Sequence, residues 1–177
     1  MRVIYAREQL PAKNAAGKVS ASIFLAGPTP RDKLNVLSWR PHALDILASQ
    51  NFKGIVFVPE DADNGLSGDF KYTDQTRWEI QALGRSSAIV FWIPRQMATM
   101  PALTTNTEFG FCVALAPERL VLGAPPEAAK VGYQKQLARD LAVMNEAFGL
   151  PSSNIQIPIL DNLEETLRQA VNIACPI

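Results

Sequence analysis

Two carboxylates stand out because of what surrounds them. Glu108, in "ALTTNTEFGFCVAL" (residues 102–115), lies between a threonine-rich turn and an almost wholly apolar run. Thr105-Asn106-Thr107-Glu108 has the spacing of a capping box, in which the glutamate reaches back to the backbone N–H of the cap residue. The same position suits chemistry, because a carboxylate in the first turn of a helix is kept ionised by the positive helix end, as a nucleophile must be. Gly110, two residues on, costs a helix up to about 1 kcal/mol relative to alanine, which points to close approach by a ligand or a neighbouring backbone. Glu79, in "DQTRWEIQALGRSSAIVFW", falls in mid-helix, where a solvated or arginine-paired side chain is the ordinary case, and Asp74 is the natural N-cap of that helix. Taken as a pair, two carboxylates from neighbouring elements are what breaking a glycosidic bond requires. One attacks or stabilises the anomeric carbon and the other manages protons.

Such a pair needs a scaffold that brings helices and strand ends together, and the chain repeats the pattern of one. Short apolar runs rich in branched residues, each closed by a break and followed by an amphipathic stretch, occur at "ASIFLAG" (21–27), "GIVFVPE" (54–60), "AIVFWIP" (88–94), "RLVLGAP" (119–125) and "IQIPIL" (155–160). Continuous rather than alternating apolar residues predict parallel strands covered on both faces by helices. The helices are expected over 39–50, 74–86, 107–116, 130–148 and 163–174. The result is an α/β fold with a five-stranded parallel sheet, to which the leading "RVIYA" can add an edge strand, and all 177 residues are read as one domain. In open α/β sheets ligands bind outside the carboxyl ends of the strands. The long segments "GPTPRDKLNVLS", "EDADNGLSGDFKYT" and "RQMATMPALTTN" therefore form one crevice.

Composition narrows the partners. Lys+Arg and Asp+Glu both number 17, so no basic surplus advertises nucleic acid or anionic lipid, and a small molecule is expected instead. No apolar run reaches the roughly 18 residues of a membrane span, and "MRVIYAREQLPAK" lacks the features of a signal peptide, so the expected compartment is the cytoplasm. Cys112 and Cys175 lack metal-site spacing and His42 is the single histidine, so neither a metal, a disulfide nor a cofactor is expected. "FLAGPTPR" is neither a GxGxxG fingerprint nor a P-loop; a tight turn explains its glycine and prolines, while Arg31, Lys33 and Arg40 are unspecific candidates for holding a phosphate.

Read jointly, "IFLAGPTPR", "FVPE", "QTRWEIQALGRSSAIVFWIPR", "TTNTEFGF" and "RLVLGAP" resemble the nucleoside 2-deoxyribosyltransferase-like proteins over about residues 22–125. The resemblance implies a flavodoxin-like, Rossmann-type three-layer fold. It also implies cleavage of a nucleoside N-glycosidic bond through a covalent deoxyribosyl-enzyme ester, with the sugar passed to another nucleobase or to water. On this basis the nucleophile falls on Glu108 and the acid of the preceding helix on Glu79. Substrate contacts fall on Phe24, Gly27, Pro28, Arg31, Glu60, Asp74, Asn106 and Thr107. Three departures matter: Phe24 stands where many transferases carry an aromatic hydroxyl, Ser87 where an aspartate is common, and Asn106 with its threonines where the loop ahead of Glu108 carries a base-protonating aspartate, so the leaving base lacks its usual proton donor. Opposite environments for the two acids, Glu108 low and Glu79 raised by burial, would separate their roles. Transfer, hydrolysis of nucleosides or their 5'-monophosphates, and non-catalytic nucleotide binding all stay open, and relatives that close the sugar site with a neighbouring subunit imply a homo-oligomer.

Overall fold

The structure, a computed structural model, describes residues 1–31, 36–62, 71–151 and 154–176. Lys33 and most of "EDADNGLSGDFKYT" lie outside the described residues. Six strands, β1 (Arg2–Tyr5), β2 (Val19–Ala26), β3 (Ile55–Val58), β4 (Ser86–Trp92), β5 (Leu120–Gly123) and β6 (Ile159–Leu160), form a sheet in the order β1-β3-β2-β4-β5-β6. Every neighbouring pair is parallel, and "RVIYA" supplies the expected edge strand, paired in register with β3. The helices are α1 (Arg40–Ser49), α2 (Tyr72–Arg85), α3 (Leu103–Leu115), α4 (Gly132–Arg139), α5 (Leu141–Ala147) and α6 (Leu163–Ala174).

The strand runs are continuous in hydrophobicity because both faces are covered. Ile23, Leu25, Val56, Val58, Ala88 and Val90 pack with Ala43 and Leu47 of α1 and Leu167 and Ala170 of α6. Their neighbours in the chain, Phe24, Ala26, Phe57, Ile89, Phe91 and Leu122, join Trp78 and Ala82 of α2, Phe109 and Val113 of α3, and Ala138 and Leu141 beyond. This period-two alternation splits the core into two layers. Burying a side chain such as Ile89 or Phe91 contributes about 1.5–3 kcal/mol, so the central strands anchor the whole sheet.

The chain leaves β2 in one direction to build β3 and crosses back over it to build β4, so the sheet's connectivity reverses beside β2. A ligand crevice is expected at that point. The close pairing of β2 and β4 there requires Gly27: its φ is +151°, and a Cβ would fall 2.2 Å from the carbonyl oxygen of Trp92.

Two helices depart from the sequence expectation by more than a residue or two at an end. α3 starts at Leu103 rather than at 107, because Ala102 adopts a left-handed conformation (φ 58°, ψ 38°) and its carbonyl already accepts the N–H of Asn106 at 3.1 Å. The threonine-rich segment is thus helix, no side-chain cap forms, and the capping box does not exist. The stretch 130–148 divides into α4 and α5 at Asp140, whose backbone leaves helical values at φ −95°, ψ 26°.

Candidate active site

Three elements converge at the carboxyl end of the sheet on a cavity of about 270 Å³. The turn after β2 contributes Gly27, Pro28 and Arg31, α2 contributes Gln75 and Glu79, and α3 contributes Thr104 and Glu108. Gln75 and Glu79 lie one helical turn apart, and the Gln75 amide donates to Glu79 Oε1 at 2.7 Å and to the carbonyl of Pro59 at 3.4 Å. Its own oxygen accepts from Arg7 at 2.9 Å, so Gln75 is held from three sides and fixes the carboxylate of Glu79 in turn.

Glu108 sits one position before Phe109, which is 1% exposed and packs edge-on against Phe91 at 5.1 Å between ring centroids. That aromatic contact seats α3 on the sheet, and the neighbouring Glu108 consequently projects to the side, into the cavity. Its side chain does not fold back onto a cap. On the far side of Glu79 and Glu108 a second cavity of about 460 Å³ opens between α2 and α3, lined by Ile80, Leu83, Phe111 and Thr107. Tyr72, Leu103, Thr104 and the two glutamates border both spaces. The carboxylates therefore border two spaces, of which the first, the polar chamber, holds more of the polar side chains and the second is mainly apolar.

Both acids are raised above ordinary carboxyl values. Burial does this for Glu79, against the opposing effects of its bond from Gln75 and of the Arg40 charge. Burial and then the Glu79 charge push Glu108 up to about 8, again opposed by Arg40. The expectation that a helix end keeps Glu108 low is overturned by the earlier start of α3. Glu108 lies in the second turn, where the macrodipole acts weakly.

The site residues predicted along the crevice separate into those at the cavity and those elsewhere. Gly27, Pro28, Arg31, Glu79 and Glu108 line the polar chamber, and Thr107 lines the apolar one. Phe24 is 1% exposed and packs against Trp78 in the core, so it touches no ligand. Glu60 is buried and ion-paired with Arg40. Asp74 is neither an N-cap nor at the site: it lies inside the first turn of α2, facing a separate cavity with Arg77 and Trp78. Asn106 turns away from the chamber, its Oδ1 accepting from Arg95 and, at 2.7 Å, from Gln134. Ser87 is bonded to the carbonyl of Val19 at 2.7 Å, at the amino end of β4 and remote from the strand ends that form the site.

The sequence pattern of the nucleoside 2-deoxyribosyltransferase-like family matches residues 20–128, which span the turn after β2, α2, α3 and β5. The chain belongs to this family. Among curated proteins no match is found. Membership in the nucleoside 2-deoxyribosyltransferase-like family implies nucleosides and nucleobases as small-molecule substrates, and the matched span contains every residue of the polar chamber. Among the described residues no helix is long and apolar enough to cross a membrane.

Among the polar residues of this cavity, sequence reasoning did not name Gln75 or Tyr72, and it read Arg40 only as an unspecific candidate for holding a phosphate. Gln75 was signalled by its four-residue spacing from Glu79 on a helix face. Arg40 and Tyr72 carried no local signal, since only the fold brings them to the chamber. The reading of Gly110 as a point of close approach also fails: nothing lies within 4 Å of the Cβ an alanine would add, and Gly110 lines neither cavity. Gly110→Ala is accordingly expected to stabilise the protein by about 0.5–1 kcal/mol, read as a raised urea midpoint. A lowered midpoint would mean that the helix needs glycine there.

Proposed function

We propose that the protein cleaves the N-glycosidic bond of a 2'-deoxynucleoside with retention and transfers the deoxyribosyl group to another nucleobase. The observation that supports it most is the placing of Glu79 and Glu108 on one cavity beside the turn after β2 in a chain of this family. Glu108 attacks C1', the C1'–N bond breaks through a sugar cation-like transition state, and a glycosyl ester forms on Glu108. A 2'-deoxy sugar favours this route because no electron-withdrawing 2'-OH opposes the developing cation.

The raised carboxyls supply the missing acid. At neutral pH the ligand-free pair holds a proton, mainly on Glu108. As the base departs, that proton passes to its ring nitrogen, by way of Glu79, and Glu108 becomes the anion that bonds to C1'. In the second half-reaction the acceptor base attacks C1', loses its N–H proton to the pair, and Glu108 is released. Protons and electron pairs balance over the cycle, and neither Phe24 nor Ser87 is asked to replace a family acid.

Hydrolysis is the second reading. Glu108 is partly reached by solvent in the single chain, so water can compete for the ester. Ile80 (57% exposed) and Leu103 (63% exposed) beside the apolar chamber form a surface that another copy would cover in a homo-oligomer, an association that sedimentation velocity reads directly. Arg31 is the cavity cation that a 5'-phosphate would meet, since Arg40 is fully engaged elsewhere.

Incubation with deoxynucleosides or their 5'-monophosphates and a different free base distinguishes the readings. Exchanged nucleoside is the expected product, and free deoxyribose without exchange would establish hydrolysis instead. Ligand binding with neither product, over several purine and pyrimidine donors, would leave a nucleotide-binding module.

A further inference from the structure

Arg40 is 1% exposed, although it carries a charge, and it lies in the lining of the polar chamber. Its guanidinium is the tie for the whole turn after β2. Nε donates to the carbonyl of Leu25 at 3.0 Å, Nη2 to that of Gly27 at 2.7 Å, and Nη1 to that of Pro28 at 3.3 Å and to Thr29 Oγ1 at 3.2 Å. Nη1 also meets Glu60 Oε1 at 2.5 Å, while Glu60 Oε2 accepts from Ser38 at 2.7 Å. Trp39 covers one face of the guanidinium at 4.8 Å and donates its indole N–H to the carbonyl of Pro28 at 3.2 Å.

Stability alone does not require this arrangement. Replacing a buried ion pair by well-packed apolar residues is often neutral or favourable, because both ions lose their hydration. What an apolar pair cannot do is put a positive charge behind two carboxylates. We infer that Arg40 is a positioning residue of this site, which shapes the chamber floor through the turn it holds and governs, through its charge, how Glu79 and Glu108 share their proton. The inference rests on the proposed chemistry only for its purpose; the electrostatic link exists in the ligand-free protein. It agrees with the direction of the Arg40 effect, which favours ionisation of both acids against burial.

Among the described residues, the charged and titratable groups facing the pair come from four elements. They are Arg31 from the turn, Arg40 from α1 with Glu60 behind it, Tyr72 from α2 and Cys112 from α3. Of these, only the Arg40–Glu60 pair can be broken from either side at one point, and the two breaks have opposite electrostatic signs. Arg40→Met removes the cation and leaves an anion. Glu60→Gln keeps the shape, removes the anion and leaves the cation unopposed.

The test follows the Glu108 δ-carboxyl by ¹³C NMR across pH in ligand-free protein, with Glu108→Gln identifying its signal. Relative to a wild-type midpoint of about 8, Glu60→Gln is expected to bind the Glu108 proton about tenfold more weakly and Arg40→Met about tenfold more tightly. Midpoints that stay put, or that move in one direction in both variants, would reduce the pair to a structural tie. If Arg40→Met does not fold, the isosteric Glu60→Gln decides alone, and the absence of a downward shift overturns the inference. Because the measurement needs no substrate, a wild-type protein that turns over no nucleoside would sink the proposed activity while this result still stands or falls separately.

Discussion

Replacing Glu108 by glutamine is expected to abolish glycosidic cleavage and to make the folded protein more stable above neutral pH. The loss should be at least about 10⁴-fold in kcat, because an amide cannot form the glycosyl ester and the substitution removes a covalent step rather than a contact. The gain in stability follows from linkage. A carboxyl raised from 4.5 to about 8 on folding binds its proton more tightly in the native state than in the unfolded chain. Its contribution to wild-type stability is fully present below pH 4.5 and is lost as pH rises through about 8. Glutamine does not titrate, so the variant escapes that loss. By pH 9 the difference should be on the order of 5 kcal/mol, shrinking toward zero near pH 4. Urea midpoints of the two proteins across this range measure it. Retained turnover would refute Glu108 as nucleophile, and parallel stability curves would show that its carboxyl is not raised. The same titration gives wild-type turnover a sign: because the cycle begins with one proton on the pair, activity should fall as pH rises through about 8.

Gly27→Ala is expected to cost roughly 3–5 kcal/mol, since it combines a backbone conformation hostile to side chains with overpacking. The added methyl would meet the Trp92 carbonyl at 2.2 Å and the Trp39 ring at 2.9 Å. Backbone atoms in the centre of a sheet cannot give way as the end of a flexible side chain can. Relief would have to come from parting β2 and β4 or from shifting the turn that Arg40 holds, and either deforms the chamber that Gly27 lines. The substitution should therefore lower the urea midpoint and, in whatever fraction folds, impair substrate binding. A midpoint equal to wild type would mean that the strand ends are not packed as closely as described. The same chemical change at Gly110 has the opposite expected sign, because open space replaces the carbonyl.

Much of the scaffold was readable without coordinates. The strands announced themselves because parallel strands buried on both faces must be apolar throughout, and α6 keeps the expected bounds 163–174, its start closed by the Asn162 side chain, which accepts the N–H of Glu165 at 3.1 Å. The start of α3 was not readable. A left-handed alanine has no compositional mark, unlike a glycine, so the threonines looked like a cap when they were already helix. Within the site, the family resemblance pointed to Glu60, Asn106 and Phe24 but gave no hint of which way each side chain turns. Glu60 and Asn106 were claimed by Arg40 and Arg95, and Phe24 by the core. Arg40 read as a loose surface cation, because its partner is twenty residues away and only the packing of α1 against the sheet joins them.

The left-handed link at Ala102 also decides what can vary and what cannot. Because the coil ends there, Glu108 is borne by a turn whose hydrogen-bond ladder is complete, with Phe109 bolted to the sheet beside it. Fraying at the tip of α3, or remodelling of the segment that precedes it, is expected to leave the Glu108 carboxyl where it is. The molecule thus separates an anchored carboxylate from the segment Met97 to Pro101 ahead of the helix, of which Pro101 reaches the cavity, so that changes in that segment are expected to leave the carboxylate in place.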